Sequence, residues 1–151
     1  RRVAVWAHAL ALLAEMPSRR LRPDTVSHNT CIDVCSAAGQ FEAAQSTFSN
    51  LLQSSLQPGV ISYNSAISIC ERSQKWSEVF GLLSKMRLAS LTPSVVTINA
   101  AAGACGLGHS WESALRLLDG MPQFSLVPDL VTFNTAISAC EKGLQWQWTL
   151  S

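Results

Sequence analysis

Residues 128–140 read PDLVTFNTAISAC, and closely similar segments begin at residues 23, 58 and 93. Proline opens every copy, asparagine follows six residues later, and cysteine follows after six more. The step between copies is 35 residues, with no insertion or deletion. A fixed period of this length predicts an array in which each repeat is one supersecondary unit. The three series are Pro23, Pro58, Pro93 and Pro128; Asn29, Asn64, Asn99 and Asn134; and Cys35, Cys70, Cys105 and Cys140.

The period divides the chain into whole and partial repeats. Complete repeats are predicted at 25–59, 60–94 and 95–129, with a half repeat at 1–24 and another at 130–151. We therefore expect the array to begin and end inside a repeat, as an excerpt would. We also expect neither end to carry the polar capping repeat that helical arrays use for solubility.

Each repeat carries signals for two short helices. Ser or Thr soon after proline, at 27, 62, 97 and 132, predicts the start of the first helix. Glycine at 39, 108 and 143 predicts its end, and proline stops the second helix. An aromatic residue opens the second helical pattern, and Met or Leu closes it. These predicted core residues are Trp6, Phe41, Trp76, Trp111 and Trp146, with Met16, Leu51, Met86 and Met121.

Stacking of such hairpins predicts an all-α fold, a superhelical α-solenoid with a 35-residue repeat. One hairpin cannot bury both of its faces, so neighbouring repeats must cover them. Small residues such as Ala44 and Ala114 allow the helices to approach closely.

Composition favours a folded chain but gives only a weak charge signal. Hydrophobic residues make up 48% and charged residues 14%, which argues against disorder. The net charge of +1 is low for a nucleic-acid binder, although five Arg and one Glu lie in the first 22 residues. The opening RRVAVWAHALALLA imitates a signal peptide, but it fits the repeat in register and is too short to span a membrane.

The cysteines and histidines give no catalytic or metal-binding pattern. The sequence has five Cys and no CxxC, and a recurrence at one place in the first helix predicts buried thiols. Cys31 and Cys35 are one helical turn apart and could supply half a metal site, but no His or acid joins them in the repeat. His8, His28 and His109 do not recur at one position. We predict no enzyme activity, no metal, no cofactor and no small-molecule substrate.

The 35-residue step, combined with PDLVTFN and its copies, resembles the pentatricopeptide repeat family over essentially the whole chain. The competing tetratricopeptide pattern has 34 residues and places its Trp, Leu-Gly and Tyr in the first helix. Here Trp follows the glycine and opens the second helix. The resemblance implies a right-handed superhelix that binds single-stranded RNA sequence-specifically, with one base read per repeat by two or three side chains.

The resemblance also implies which residues read the RNA. In the family, an Asn-type residue near the start of the first helix meets a base edge, and its carboxamide offers both a donor and an acceptor. A second reading residue closes the repeat, just after the next proline. The implied base-reading residues are Asn29, Asn64, Asn99 and Asn134, with Asp24, Gly59, Ser94 and Asp129. The implied base-flanking residues are Val26, Ile61, Val96 and Val131.

Each of these roles has a structural alternative. The asparagines could serve only the helix start, the variable residues could belong to a tolerant loop, and the branched apolar residues could pack between repeats. When the reading residues are paired by repeat, the family rule implies a pyrimidine, a cytosine and a uracil in 5′ to 3′ order, then a pyrimidine at Asn134. Asp24 and Asn134 lack partners. The pairs are Asn29 with Gly59, Asn64 with Ser94, and Asn99 with Asp129.

The implied partner is single-stranded RNA, in organellar RNA processing, editing, stability or translation, with a mitochondrial or chloroplast location. No membrane partner is expected, and protein partners could bind other parts of the full-length chain. The alternative is a protein- or peptide-binding scaffold of the tetratricopeptide type, which the near-neutral charge favours. A recurring Asn with a variable companion favours RNA, because a peptide groove has no need for one amide per repeat.

Overall fold

The computed structural model describes residues 2–107 and 110–150, with side chains described at 5–107 and 110–144. The described residues form α-helices and two short 3₁₀ turns, without strands. None of these helices is long and apolar enough to cross a membrane. The helices are α1 (Arg2–Glu15), α2 (Thr25–Ala37), α3 (Phe41–Gln53), α4 (Val60–Arg72), α5 (Ser77–Leu88), α6 (Val95–Leu107), α7 (Trp111–Asp119) and α8 (Leu130–Leu150). The predicted all-α class is confirmed. The chain divides into two compact units, Arg1–Ile69 and Cys70–Ser151.

In the first unit, α2 packs against α1 and forms a hairpin with α3. The turn of the hairpin contains Gly39 with φ of +75°, a conformation that glycine adopts at little cost. Ile32 of α2 and Leu51 of α3 are fully buried. Phe48 meets Tyr63 of α4 edge to face, with ring centroids 5.5 Å apart. The first unit is therefore held by apolar packing of helices that are close in sequence.

In the second unit, α6 packs against α5, α7 and α8, and α7 packs against α8. The buried core alternates large side chains with alanines, so the helix backbones can approach closely. These residues are Ile98, Ala102, Cys105, Ala114, Leu118, Met121 and Ala139.

The first helices begin two residues before the predicted start. In α2, Asp24 is the N-cap: its Oδ1 accepts from Ser27 N at 2.8 Å, and the Ser27 hydroxyl lies 3.4 Å from Asp24 N. In α8, Asp129 accepts from Thr132 N at 2.9 Å in the same way. The predicted Ser and Thr therefore sit at the third helical position of a capping box, and the residue just after proline is the cap.

The predicted helix end at Gly143 is wrong, because α8 continues past it. The residues with a left-handed backbone conformation that follow α2 and α4 are Gly39 and Gln74. In the repeat, both stand one position after the position that Gly143 occupies. Leu144 stands at that position in α8, and a leucine pays a steric cost in the left-handed conformation. The predicted end at Gly108 lies outside the described residues.

Two second helices are shortened by proline. α1 and α7 end before Met16 and Met121, and each continues as a 3₁₀ turn with proline at its start. Pro17 and Pro122 cause this change because proline lacks the N–H and clashes with the preceding turn of an α-helix. The closing residues predicted to be core are fully buried at Leu51, Met86 and Met121. Met16 is only half-buried.

The aromatic series is less regular than predicted. Phe41 and Trp111 begin α3 and α7, as expected, whereas Trp76 is the cap of α5. Trp6 lies inside α1, so it does not open that helix. All four are half-buried. The side chain of Trp146 lies outside the described side chains.

The prediction of buried thiols is confirmed for most of the cysteines. Cys31, Cys35, Cys70 and Cys105 are buried and free. The prediction is wrong for Cys140, which is exposed. Within the described part of the chain, no three His, Cys, Asp or Glu side chains come together as a metal site.

Candidate nucleic-acid interface

The implied reading and flanking residues share one side of each first helix. The apolar residue is at the second helical position and Asn is three residues later, a spacing that places both side chains on one face. The apolar side chains are exposed by 57–69% although they are large and branched. This exposure disfavours packing between repeats as their role and leaves flat apolar surface beside each Asn. The residues are Val26, Ile61, Val96 and Val131.

The variable residues, predicted as either reading residues or a tolerant loop, form the N-caps. Asp24 and Asp129 cap α2 and α8, and Ser94 caps α6, where its Oγ accepts from Thr97 N at 3.3 Å. Asp, Ser and Gly all belong to the residues preferred at this position. Sequence reasoning missed this role, although a Ser or Thr three residues after a variable polar residue is the signal of a capping box.

The structure brings together the predicted pair Asn99 and Asp129. Asn99 Nδ2 donates to Asp129 Oδ1 at 3.2 Å. On the other side of the carboxamide, the Thr132 hydroxyl lies 2.9 Å from Asn99 Oδ1 as a donor. Asn99 is 9% exposed and Thr132 is 3% exposed. Asn99 does not cap its own helix, α6. It bonds instead to residues at the start of α8, the first helix of the following repeat.

Among the described side chains, hydrogen bonds are made to one oxygen of the Asp129 carboxylate, Oδ1, and none to the other, Oδ2. Oδ1 accepts from Thr132 N, Thr132 Oγ1 and Asn99 Nδ2, at 2.9, 2.8 and 3.2 Å. The Thr132 backbone hydrogen bond, followed by the one from its hydroxyl, lowers the pKa of Asp129 below its ordinary value. The carboxylate is therefore ionised at neutral pH, and Oδ2 is an acceptor on an exposed residue.

The corresponding residues of the first unit are arranged differently. Gly59 stands where Asp129 stands in the second unit and supplies no side-chain acceptor. Ser62, in register with Thr132, is fully buried, and its Oγ has no hydrogen-bond partner. The carbonyl oxygen of Asn29, in register with Asn99, is also buried without a partner. Buried polar groups are normally paired, so this repeat lacks a contact that the other repeat makes.

Asn134 lines a cavity of about 270 Å³ together with its flanking residue Val131. The cavity also contains the charged side chains of Glu71 and Lys142. Burial raises the pKa of Glu71, and its positive neighbours Arg72 and Lys142 oppose that shift. The cavity thus combines an exposed amide, an apolar flank and one charge of each sign.

The remaining reading residues lie in different units. Asn64 is half-buried on α4 in the first unit, and Ser94 caps α6 in the second unit. Asp24 is exposed at the start of α2.

Two family comparisons match the sequence. Residues 11–73 match the pentatricopeptide repeat domain, and residues 61–91 match the PPR repeat. The chain belongs to the pentatricopeptide repeat (PPR) family. The matched segments together extend over residues 11–91, more than half of the chain. A comparison with curated proteins gives no match.

Solved structures of PPR proteins have a similar fold. PPR10 from maize is 27% identical, with a TM-score of 0.74 over 89% of this chain and 19% of that chain. PPR10 in complex with an 18-nt psaJ RNA element is 26% identical, with a TM-score of 0.75 over 89% and 20%. The chain therefore spans about a fifth of PPR10.

A third structure is the PPR domain of Arabidopsis thaliana protein-only RNase P 1 in complex with tRNA. It is 13% identical, with a TM-score of 0.77 over 96% of this chain and 80% of that chain. At this identity the match reports on the fold alone. These neighbours confirm the α-solenoid class of the chain.

Proposed function

We propose that this chain binds single-stranded RNA and reads one base per repeat with the Asn at the fifth position of each first helix. The arrangement of Asn99, Asp129 and Thr132 supports this proposal most strongly. A carboxamide with fixed hydrogen-bond partners stands beside an ionised carboxylate whose Oδ2 accepts no hydrogen bond from a described side chain. The exposed residues Val96 and Val131 supply apolar surface next to this pair.

The chemistry of the pair suits a pyrimidine edge. A carboxylate accepts a hydrogen bond from a base N–H, and the second hydrogen of Asn99 Nδ2 can be donated to a base oxygen. Uracil offers this combination through N3–H and its carbonyl oxygens. The family rule adds a pyrimidine at Asn29 and Gly59, a cytosine at Asn64 and Ser94, and a pyrimidine at Asn134. PPR10, which is similar to this chain, is described in complex with RNA.

The charge distribution favours weak binding by the chain alone. The net charge is +1, and Lys142 shares its cavity with Glu71. Phosphate neutralisation dominates the affinity of most nucleic-acid binders, so a near-neutral surface should give low affinity and a shallow salt dependence. Three complete repeats would contact about three or four bases. Organellar RNA processing, editing, stability or translation, in a mitochondrion or chloroplast, completes the proposal and follows from the family resemblance.

Binding of labelled oligonucleotides at low, stated salt tests the proposal. Fluorescence anisotropy should report tighter binding of pyrimidine-rich RNA than of purine-rich RNA. In a series that varies only the third base, wild type should prefer uracil, and Asn99→Thr should move the preference towards guanine. An unchanged preference in Asn99→Thr would remove Asn99 from the reading site. If the chain binds neither RNA, the protein-binding scaffold is favoured instead.

A further inference from the structure

The hydroxyl of Thr132 contacts both members of the Asn99–Asp129 pair. Its Oγ1 lies 2.9 Å from Asn99 Oδ1 and 2.8 Å from Asp129 Oδ1. The same oxygen accepts from Asp129 N at 3.0 Å, and Thr132 N donates to Asp129 Oδ1 at 2.9 Å. Thr132 belongs to the repeat that follows Asn99, and it is 3% exposed. A buried residue thus bonds to one oxygen of each side chain of the pair and to the backbone N–H of Asp129.

These contacts favour one orientation of the Asn99 carboxamide. In the observed orientation, Nδ2 faces the carboxylate and Oδ1 lies beside the Thr132 hydroxyl, which shares its hydrogen between Asn99 Oδ1 and Asp129 Oδ1. A half-turn of the amide would place its oxygen 3.2 Å from the carboxylate oxygen, so two acceptors would face each other. The same half-turn would also replace the Asn99 Oδ1 acceptor beside the Thr132 hydroxyl by an amide nitrogen, which leaves that hydroxyl only Asp129 Oδ1 as an acceptor. The amide order is therefore set by its neighbours on both sides.

We infer that Thr132 is a positioning residue for base selection, because it holds the Asn99 carboxamide in one orientation. This inference rests on the proposed RNA binding and adds a third side chain to the reading pair. Uracil has a carbonyl oxygen at C4, which accepts a hydrogen bond from an amide N–H, whereas cytosine has an amino group there, which needs an acceptor. A carboxamide with a fixed order of donor and acceptor distinguishes them, whereas one that turns freely accepts both.

The first unit supports the same conclusion independently. Ser62 stands in register with Thr132, yet its buried hydroxyl has no partner, and neither has the buried Asn29 carbonyl oxygen. Two residues differ between the repeats: Gly59 replaces the acid, and Ser62, which keeps the hydroxyl, replaces Thr132. Without a carboxylate to hold the hydroxyl, the contact between hydroxyl and carboxamide is not made. The acid, the hydroxyl and the amide therefore act as one network, and repeat 25–59 should discriminate uracil from cytosine less well than repeat 95–129 does.

Thr132→Val tests the inference, since valine keeps the branched shape and removes the hydroxyl. Two oligonucleotides that differ only by uracil or cytosine at the base read by repeat 95–129 are titrated at the same salt by fluorescence anisotropy. The uracil-to-cytosine affinity ratio should fall by roughly three- to ten-fold, the equilibrium effect of one neutral hydrogen bond. Thr132→Ser, which restores a hydroxyl, should recover the wild-type ratio.

Ser27→Ala is the matched control. Ser27 completes the same capping box at the start of α2, but it lies outside the repeat of Asn99 and Asp129 and bonds to neither residue. Loss of the Ser27 hydroxyl should lower the midpoint of thermal unfolding. It should leave the uracil-to-cytosine affinity ratio at the base read by repeat 95–129 unchanged. If Thr132→Val lowers the midpoint and keeps the wild-type ratio, the positioning role is overturned and the RNA proposal stands. A wild-type chain without uracil preference would overturn both.

A second pair of variants tests the network if Thr132→Val fails to fold. Gly59→Asp places an acid at the position in register with Asp129, three residues before Ser62. It should raise the uracil-to-cytosine affinity ratio at the base read by repeat 25–59. Adding Ser62→Ala to this variant removes the hydroxyl and should cancel most of that gain. An undiminished ratio in the double variant would show that the hydroxyl has no positioning role.

Discussion

Asn99 and Asp129, thirty residues apart in the sequence, are joined by a 3.2 Å hydrogen bond from the amide Nδ2 to the carboxylate Oδ1. Asp129 is also the N-cap of α8, so one side chain both starts a helix and contacts the Asn of the preceding repeat. Variation at this position in the array is therefore limited to residues that start a helix well. Asp, Gly and Ser meet that requirement while offering different groups to Asn.

Asp129→Asn should separate capping from base reading. Asn is as good an N-cap as Asp, so the free energy of unfolding should change by less than about 0.5 kcal/mol. The carboxylate acceptor beside Asn99 is lost, and the preference for uracil at the third base should fall. Urea unfolding and RNA titration measure the two effects. Asp24→Asn makes the same change at the cap of α2 and should leave the third-base preference intact; an equal effect of both variants would contradict the reading role of Asp129.

The period of the sequence was sufficient to predict the class of fold. Pro, Asn and Cys recur every 35 residues, and this step specifies helical hairpins without any single contact being known. The helix ends were less predictable, because they depend on one residue at one conformation. Gly39 has a left-handed backbone conformation and ends its helix, whereas Gly143 stands one position earlier in the repeat. Because glycine is absent from the position that must become left-handed, α8 continues past Gly143.

For the candidate site, the family resemblance suggested which residues pair, but it could not indicate the contacts that they make. Asn99 and Asp129 were paired through the family rule, but their contact with Thr132 depends on how two consecutive first helices approach. Similarly, the repeat pattern treats Cys140 like Cys105. Only the structure separates them, because burial depends on which helix covers each thiol.

The five thiols should react at very different rates. Burial raises the pKa of Cys70 and of Cys105 to about 11, and it also raises the pKa of Cys31 and Cys35, so these thiols are protonated and shielded at neutral pH. Cys140 is exposed. Titration of the native chain with a chromogenic disulfide should give one fast equivalent, and the rest should react only after unfolding. Cys140→Ser should abolish the fast phase; a remaining fast phase would contradict the burial of the other four.

Gly143→Ala should destabilise the second unit although alanine is the better helix former. A Cβ at this position would lie 2.7 Å from ring atoms of Trp111, far inside normal contact distance. Overpacking of this kind costs about 1–3 kcal/mol, whereas replacing Gly by Ala in a helix gains up to about 1 kcal/mol. The net loss is measurable by urea unfolding. Gly81→Ala in α5, where nothing lies within 4 Å of the new Cβ, should instead gain about 0.5–1 kcal/mol. A gain for both variants would argue against the Trp111 contact.

Gly59→Asp should stabilise the first unit by completing the start of α4. An added Cβ at Gly59 meets nothing within 4 Å, so the side chain has room. In α2, the same pair of residue types forms a capping box, with Asp24 Oδ1 2.8 Å from Ser27 N and 2.9 Å from Ser27 Oγ. The buried Ser62 hydroxyl would gain the acceptor it lacks.

The expected gain is about 0.5–1 kcal/mol, because Asp exceeds Gly as a cap by a few tenths and an unpaired buried hydroxyl is costly. Thermal or urea unfolding of Gly59→Asp against wild type measures it. Gly59→Ala adds the Cβ without an acceptor and should give no gain, since alanine is a poor N-cap. Equal stabilisation by Asp and Ala would mean that the loss of glycine flexibility, and not the cap, is responsible. Loss of the gain in Gly59→Asp below the ordinary pKa of an Asp side chain would identify the carboxylate as the active group, because protonation removes the acceptor.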